Sequence, residues 1–246
     1  NEKLSRIAFL IYILFINLGA MHHLLVDPGL SSPNRIFNTS YFMYLAVLGS
    51  MIHAFSIPAG VEVAQRAKGY TRGLFEWLRN APWKDPGFSA AALSFLIFGF
   101  LGGTSGVIIG TMQLNLAAHN TLRVPGHFHA TVVAGTTLAF MGLAYYVIPL
   151  IARRELVGKG WAKIQPYIFA LGVTLMVLGL NFSGILGVPR RTWDVSYAAA
   201  PLAVKFPAAV PAALGMVGIG GVIAVIGLLI FVGVAVLSLL LGKRRT

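Results

Sequence analysis

The sequence contains no cysteine. Within this chain that excludes disulfide frameworks, iron–sulfur clusters, zinc ribbons and thiolate copper centres, so any metal must be held by histidine, methionine or carboxylate. Acidic residues are scarce too, 7 Asp and Glu against 19 Lys and Arg, and charged residues of both signs fill only 11% of the 246 positions. A water-soluble globule carries about 25%. Apolar residues take the vacated share, at 57% of the chain and a mean hydropathy of +0.79. Residues 36–61, 87–122, 124–152, 164–189 and 206–242 contain no Asp, Glu, Lys or Arg. Each run exceeds the ~20 residues needed to cross about 30 Å of hydrocarbon. With residues 7–26 added, the reading is an all-α integral membrane protein of six transmembrane helices. They cover about 4–25, 36–63, 88–112, 127–152, 164–188 and 208–241 in a single transmembrane domain. The chain starts at Asn1 with no basic, apolar and small-residue leader, so a fragment or processed chain, incomplete at its N-terminus, is expected.

A net charge of +12 would point to nucleic acid in a soluble protein. In a membrane chain the informative quantity is where the charges lie, and no nucleic-acid partner is expected. Six spans put Lys3, Arg6, Arg66, Lys68, Arg72, Arg79, Lys84, Arg153, Arg154, Lys159, Lys163, Lys243, Arg244 and Arg245 on one side. Only Arg35, Arg123, Arg190, Arg191 and Lys205 fall on the other. Positive charge accumulates in the cytoplasm, so both termini are expected there.

The first span ends at Asp27-Pro28-Gly29, a turn sequence. Pro58 predicts a kink in the second span. The 64–87 loop, with Trp77 and Trp83, suits a compact interfacial segment. The third span is rich in glycine, which permits close helix or ligand approach.

Ionisable groups in a bilayer are costly and tend to mark function. Five of the 6 histidines gather at the outer ends of their elements: His22 and His23 after span one, His119 in a loop, and His127 and His129 at the start of span four. This layer reads either as one shared cofactor layer or as histidines settled among lipid headgroups. Positions 127 and 129 of a regular helix lie about 200° apart. Such a pair offers one imidazole to each of two centres flanking the helix, as two haems with Phe128 between their ligands would require. His22 and His23 reach one ion only with ligands from elsewhere; copper, iron or zinc would suit them, and the alternative is a polar helix end beside Asp27. Arg190-Arg191 suits anionic groups, lipid headgroups among them. His53 sits deep in span two, with Ser50 and Ser56 on the same helix face. That polar stripe is either a proton path through waters or an internally bonded packing seam.

The succession HH, VDPG, HN-x-x-x-VPGHFH and VPRR, together with the GLFEWLRNAPWKDPGF loop, runs in order along nearly the whole chain. It resembles catalytic subunit I of the haem–copper oxygen reductases, most of all the B-type branch of the cytochrome c oxidases. The resemblance implies that the six spans are the second half of a twelve-helix bundle, in a terminal oxidase that reduces dioxygen to water and translocates protons. It implies two haems and a copper: His22 and His23 as copper ligands, His127 on the high-spin haem iron, and His129 on the low-spin haem iron. Arg190 and Arg191 would bind haem propionates, with His119 and Asn120 nearby, and Ser50, His53 and Ser56 would fall in the proton-input region. The N-terminal half of subunit I, with the third copper histidine and its linked tyrosine, is absent from the sequence. Its implied partners are that half, a subunit II carrying dinuclear copper, cytochrome c or a similar donor, and the bilayer. The implied location is the plasma membrane of a prokaryote, haem propionates outward. A nitric oxide reductase of the same superfamily and a non-catalytic haem-carrying subunit are the alternatives. A transporter would need an inverted repeat, and the sequence has none.

Overall fold

In lipid a backbone must satisfy its own hydrogen bonds, which favours continuous helices wherever the chain is this apolar. The computed structural model describes residues 2–19, 29–191 and 205–244, and of Thr39 the backbone alone. Its long helices are α1 (Glu2–Leu18), α2 (Phe42–Ala67), α3 (Pro86–Gly110), α4 (Arg123–Ile151), α5 (Lys159–Ile185) and α6 (Val210–Leu241). Among the described residues, the last five are long and apolar enough to cross a membrane. Residues 20–25, which complete the predicted first span, lie outside the described residues, as do His22 and His23.

The helix starts differ from those read off hydropathy. α4 begins at Arg123 rather than 127, because Pro125 falls in a first turn whose N–H groups need no intrahelical partner. α5 begins at Lys159 rather than 164: Lys159, Trp161 and Lys163 are helical although they precede the apolar run. Ahead of α2, a turn at Ser32–Ile36, capped by Ser31, leads through a π-helical turn at Phe37–Tyr41. α2 itself is unbroken through Pro58.

The chain divides into two compact units, residues 1–81 with 106–117 and residues 82–105 with 118–246. In the first, α1 packs on α2 where Gly49 lacks a side chain; a Cβ there would lie 2.5 Å from the Ala8 carbonyl oxygen. The segment after α2 is compact: Arg66 donates to Glu62 at 2.7 Å and to the carbonyls of Thr71 and Gly73.

In the second unit, Ala90, Ala130, Ala134, Leu138, Phe169 and Val173 form the core. α5 and α6 approach closely at small residues, since a Cβ on Gly179 would lie 2.6 Å from the Ala213 oxygen. Two π-helical stretches, Ile97–Gly103 in α3 and His129–Thr137 in α4, lie in this unit. Ser94 Oγ ties the two helices by donating to the Gly135 carbonyl at 2.6 Å. Such π-turns concentrate at functional sites.

Candidate functional site

The start of α4 and the end of α5 are clasped by backbone. Leu122 N donates to the Val188 carbonyl at 2.9 Å and Arg190 N to the Asn120 carbonyl at 2.7 Å. Gly184 admits the Arg123 backbone directly against α5. Asn120 turns the chain with a positive φ of 60°, which asparagine tolerates. Its side-chain oxygen accepts from Arg190 Nε at 3.2 Å and from Arg190 Nη2 at 3.1 Å. Thus two of the predicted residues are bonded to each other, with His119 and Arg191 on the same two segments; His119 is half-buried and Arg191 exposed.

Arg123 belongs to this corner and was not among the residues singled out from the sequence. Its Nε is buried and has no hydrogen-bond partner among the described residues. A buried guanidinium donor without a partner calls for an anionic acceptor. The signal was available: Arg123 alone separates the uncharged runs 87–122 and 124–152.

His127 and His129 stand in the first turns of α4, half-buried. The backbone is α-helical to Phe128 and π-helical from His129, so the regular-helix geometry assumed for the pair ends between them. His127 Nδ1 lies 3.1 Å from the Gly102 carbonyl oxygen and 3.0 Å from Ser105 Oγ. Ser105 Oγ also contacts the Leu101 and Gly102 carbonyls, to which only its hydroxyl can donate. His129 Nδ1 lies 2.7 Å from the Pro125 carbonyl. A carbonyl accepts and never donates, so in both rings Nδ1 carries a proton and is the donor. This is the arrangement of a metal-ligating imidazole, whose second nitrogen donates to a backbone carbonyl. The donor set therefore fits two metal centres, each of which would be held by one of these histidines. Among the described residues no group of three or more His, Asp or Glu is placed to hold a metal ion.

The third group of predicted residues lies in the first unit. His53 Nε2 meets Ser5 Oγ of α1 at 3.2 Å, while Ser56 Oγ donates to the His53 carbonyl at 3.4 Å rather than to the ring. Ser50 is half-buried on the same helix. Ser5 was not anticipated, since nothing in its spacing links it to a histidine 48 positions away.

Comparison with known proteins places these features in context. The family described as "Cytochrome C and Quinol oxidase polypeptide I" matches residues 1–223. Cytochrome c oxidase subunit 1 of Thermus thermophilus is 34% identical over 254 aligned residues, which cover 100% of this chain and 42% of that protein. The protein of the same name in Debaryomyces hansenii is 27% identical, covering 69% of this chain and 28% of its own length. A heme-copper terminal oxidase dimer solved by cryo-EM superposes with a TM-score of 0.90 at 27% identity, over 100% of this chain and 43% of its own. The chain thus spans less than half the length of these relatives.

Proposed function

Because the chain belongs to the cytochrome c and quinol oxidase polypeptide I family, we propose that it is the C-terminal part of the catalytic subunit of a terminal oxidase, reducing dioxygen to water and translocating protons. Haem and copper are the cofactors implied by the family. The observation that carries the reading is the pair His127 and His129, each with Nδ1 tied to a backbone carbonyl. His127 binds the high-spin haem iron and His129 the low-spin one; His22 and His23 contribute two of the copper ligands. Bound there, these metals supply the electron transfer and oxygen chemistry that no side chain can perform.

The chain's own residues bind, orient and move protons. The carbonyls of Gly102 and Pro125 hold the two imidazoles in the ligating tautomer and raise their basicity. Arg190 and Arg191 take haem propionates, with Asn120 steering the Arg190 guanidinium and His119 alongside. Arg123, whose buried Nε has no partner among the described residues, adds a further donor to the same carboxylates. In α2, Ser50, His53 and Ser56 carry protons inward from the cytoplasm, joined by Ser5 of α1.

The wider reading follows the same lines. The chain supplies six spans, the second half of a twelve-helix B-type subunit I. The remaining half, a subunit II with dinuclear copper, and cytochrome c or a similar donor complete the assembly. Both termini of this part face the cytoplasm of a prokaryote and the propionates face outward, as the loop charges favour. The relatives named cytochrome c oxidase do not favour the nitric oxide reductase alternative.

The test is the optical spectrum of the native assembly, reduced and reduced with CO, together with iron and copper per complex. Two haems, CO on one of them, and copper are expected. A second iron in place of the active-site copper would redirect the assignment to nitric oxide reduction, and an assembly without haem would end it.

A further inference from the structure

At the far end of the second unit from the histidines, the chain forms an open cavity of about 370 Å³ that none of the roles above uses. Along α4 the separation from His127 to Pro149 amounts to about 30 Å at 1.5 Å per residue. The cavity is lined by Lys84, Asp85, Pro86 and Gly87 at the start of α3, Tyr145, Tyr146 and Pro149 at the end of α4, and Leu156, Lys159, Ala162 and Lys163 at the start of α5.

Its chemistry is two-sided. Lys84, Lys159, Lys163, Asp85, Tyr145 and Tyr146 supply the polar part, and Asp85 and the nearby Glu155 each have partners of their own. Asp85 accepts from Phe88 N at 2.7 Å and from the Tyr146 hydroxyl at 2.8 Å, and Glu155 pairs with Lys159 at 3.1 Å. Neither Lys84 nor Lys163 forms an ion pair with a carboxylate among the described residues, so both ammonium groups remain at the rim to meet an anion. Pro149, Leu156 and Ala162 supply an apolar wall. Beside it, Leu150 and Ile151 at the end of α4 are 75% and 76% exposed, and Trp161 at the start of α5 is 59% exposed. A cationic rim next to bare aliphatic side chains, with tryptophan at the ends of membrane spans, has the layout of the headgroup boundary of a bilayer.

We propose that this cavity binds the headgroup of an anionic phospholipid, its phosphate between Lys84 and Lys163 and its acyl chains along the exposed end of α4. A free phosphate would satisfy the lysines as well, but it would leave the apolar wall and the aliphatic side chains beside it without a partner. The volume suits a headgroup, since it lies near the lower end of the ~300–1,000 Å³ common for ligand sites.

The test uses the purified native assembly, stripped of lipid in detergent and titrated with phosphatidylglycerol or phosphatidylcholine, with bound lipid counted by native mass spectrometry. Wild-type protein is expected to retain phosphatidylglycerol in preference to phosphatidylcholine. The double variant Lys84→Gln/Lys163→Gln should bind phosphatidylglycerol about 25-fold more weakly, at roughly fivefold per lysine near a membrane surface. Lys84→Arg/Lys163→Arg should restore binding, which separates lost charge from lost folding. Equal retention by wild type and the double Gln variant would overturn the proposal. So would displacement of the lipid by excess inorganic phosphate, which would reassign the cavity to a soluble anion. Neither readout depends on haem content or turnover, so failure here leaves the oxidase reading standing.

Discussion

At the start of α4, His127 and His129 turn Nδ1 to backbone carbonyls, whereas His53 in α2 meets the Ser5 hydroxyl through Nε2. The partners differ in kind: a carbonyl only accepts, so it fixes the imidazole tautomer, while a hydroxyl gives and accepts and leaves either tautomer open. The first arrangement suits a ligand that must keep one nitrogen aimed at a metal. The second suits a group that takes a proton on one side and releases it on the other. One residue type is thus held in two different ways by the atoms across from it.

The most severe way to break the first half of this contrast is to remove the rings. His127→Ala should abolish CO binding by the reduced assembly, and His129→Ala should remove the low-spin haem signal while leaving CO binding where the complex assembles. Retention of both haems in both variants, by pyridine haemochrome assay, would contradict the ligand roles. The matching test of the second half is His53→Ala. It should slow proton uptake on the order of a hundredfold, as for loss of a positioned proton carrier, while the haem spectra stay unchanged. Wild-type turnover in that variant would take His53 out of the path.

A finer test asks whether the tautomer lock matters in itself. Ser105→Ala deletes the 3.0 Å hydroxyl contact of His127 Nδ1 but leaves the Gly102 carbonyl in place. Losing one outer partner of a metal ligand lowers affinity or activity by about tenfold, the lower end of the usual range. The change should appear as a shift of the high-spin haem band and weaker haem retention, with proton uptake following turnover. An unshifted band would mean that the carbonyl alone holds the ring.

How much of this was legible beforehand divides along the same line. Spans two to six could be read from uncharged runs, because crossing a bilayer requires continuous apolar sequence, and each overlaps one of the five apolar helices, with ends that differ by up to six residues. That the histidine pair stands at the start of a membrane-length helix was legible from VPGHFH, and the contact of Asn120 with Arg190 joins two motifs that the resemblance places near haem propionates. The anchors were not. Gly102 and Ser105 lie inside an apolar run as ordinary small residues of a membrane helix, and only the approach of α4 to α3 makes them partners of His127. The π-helical stretches escaped for a similar reason: Ile97–Gly103 and His129–Thr137 have no composition that separates them from α-helix. Arg123 carried a visible signal, a single charge between two long neutral runs, yet its meaning depends on the burial of an Nε that has no partner among the described residues.

The smallest expected effect probes the partner that sequence could not supply. Ser5→Ala removes the hydroxyl 3.2 Å from His53 Nε2 and keeps the ring, α1 and the packing of Gly49 on Ala8. A single hydrogen bond contributes about 0.5–1.5 kcal/mol net, and this one is exposed, so roughly a threefold slowing of proton uptake is expected. The informative quantity is the comparison of Ser5→Ala with Ser5→Thr, which restores the hydroxyl at the cost of one methyl group. If the hydroxyl orients or relays the His53 proton, Thr should recover the rate and Ala should not, with haem spectra identical in both. If both variants match wild type, Ser5 only packs beside the ring. The two-way hydroxyl would then have no part in proton transfer, and the contrast with the carbonyl-anchored histidines would rest on His53 alone.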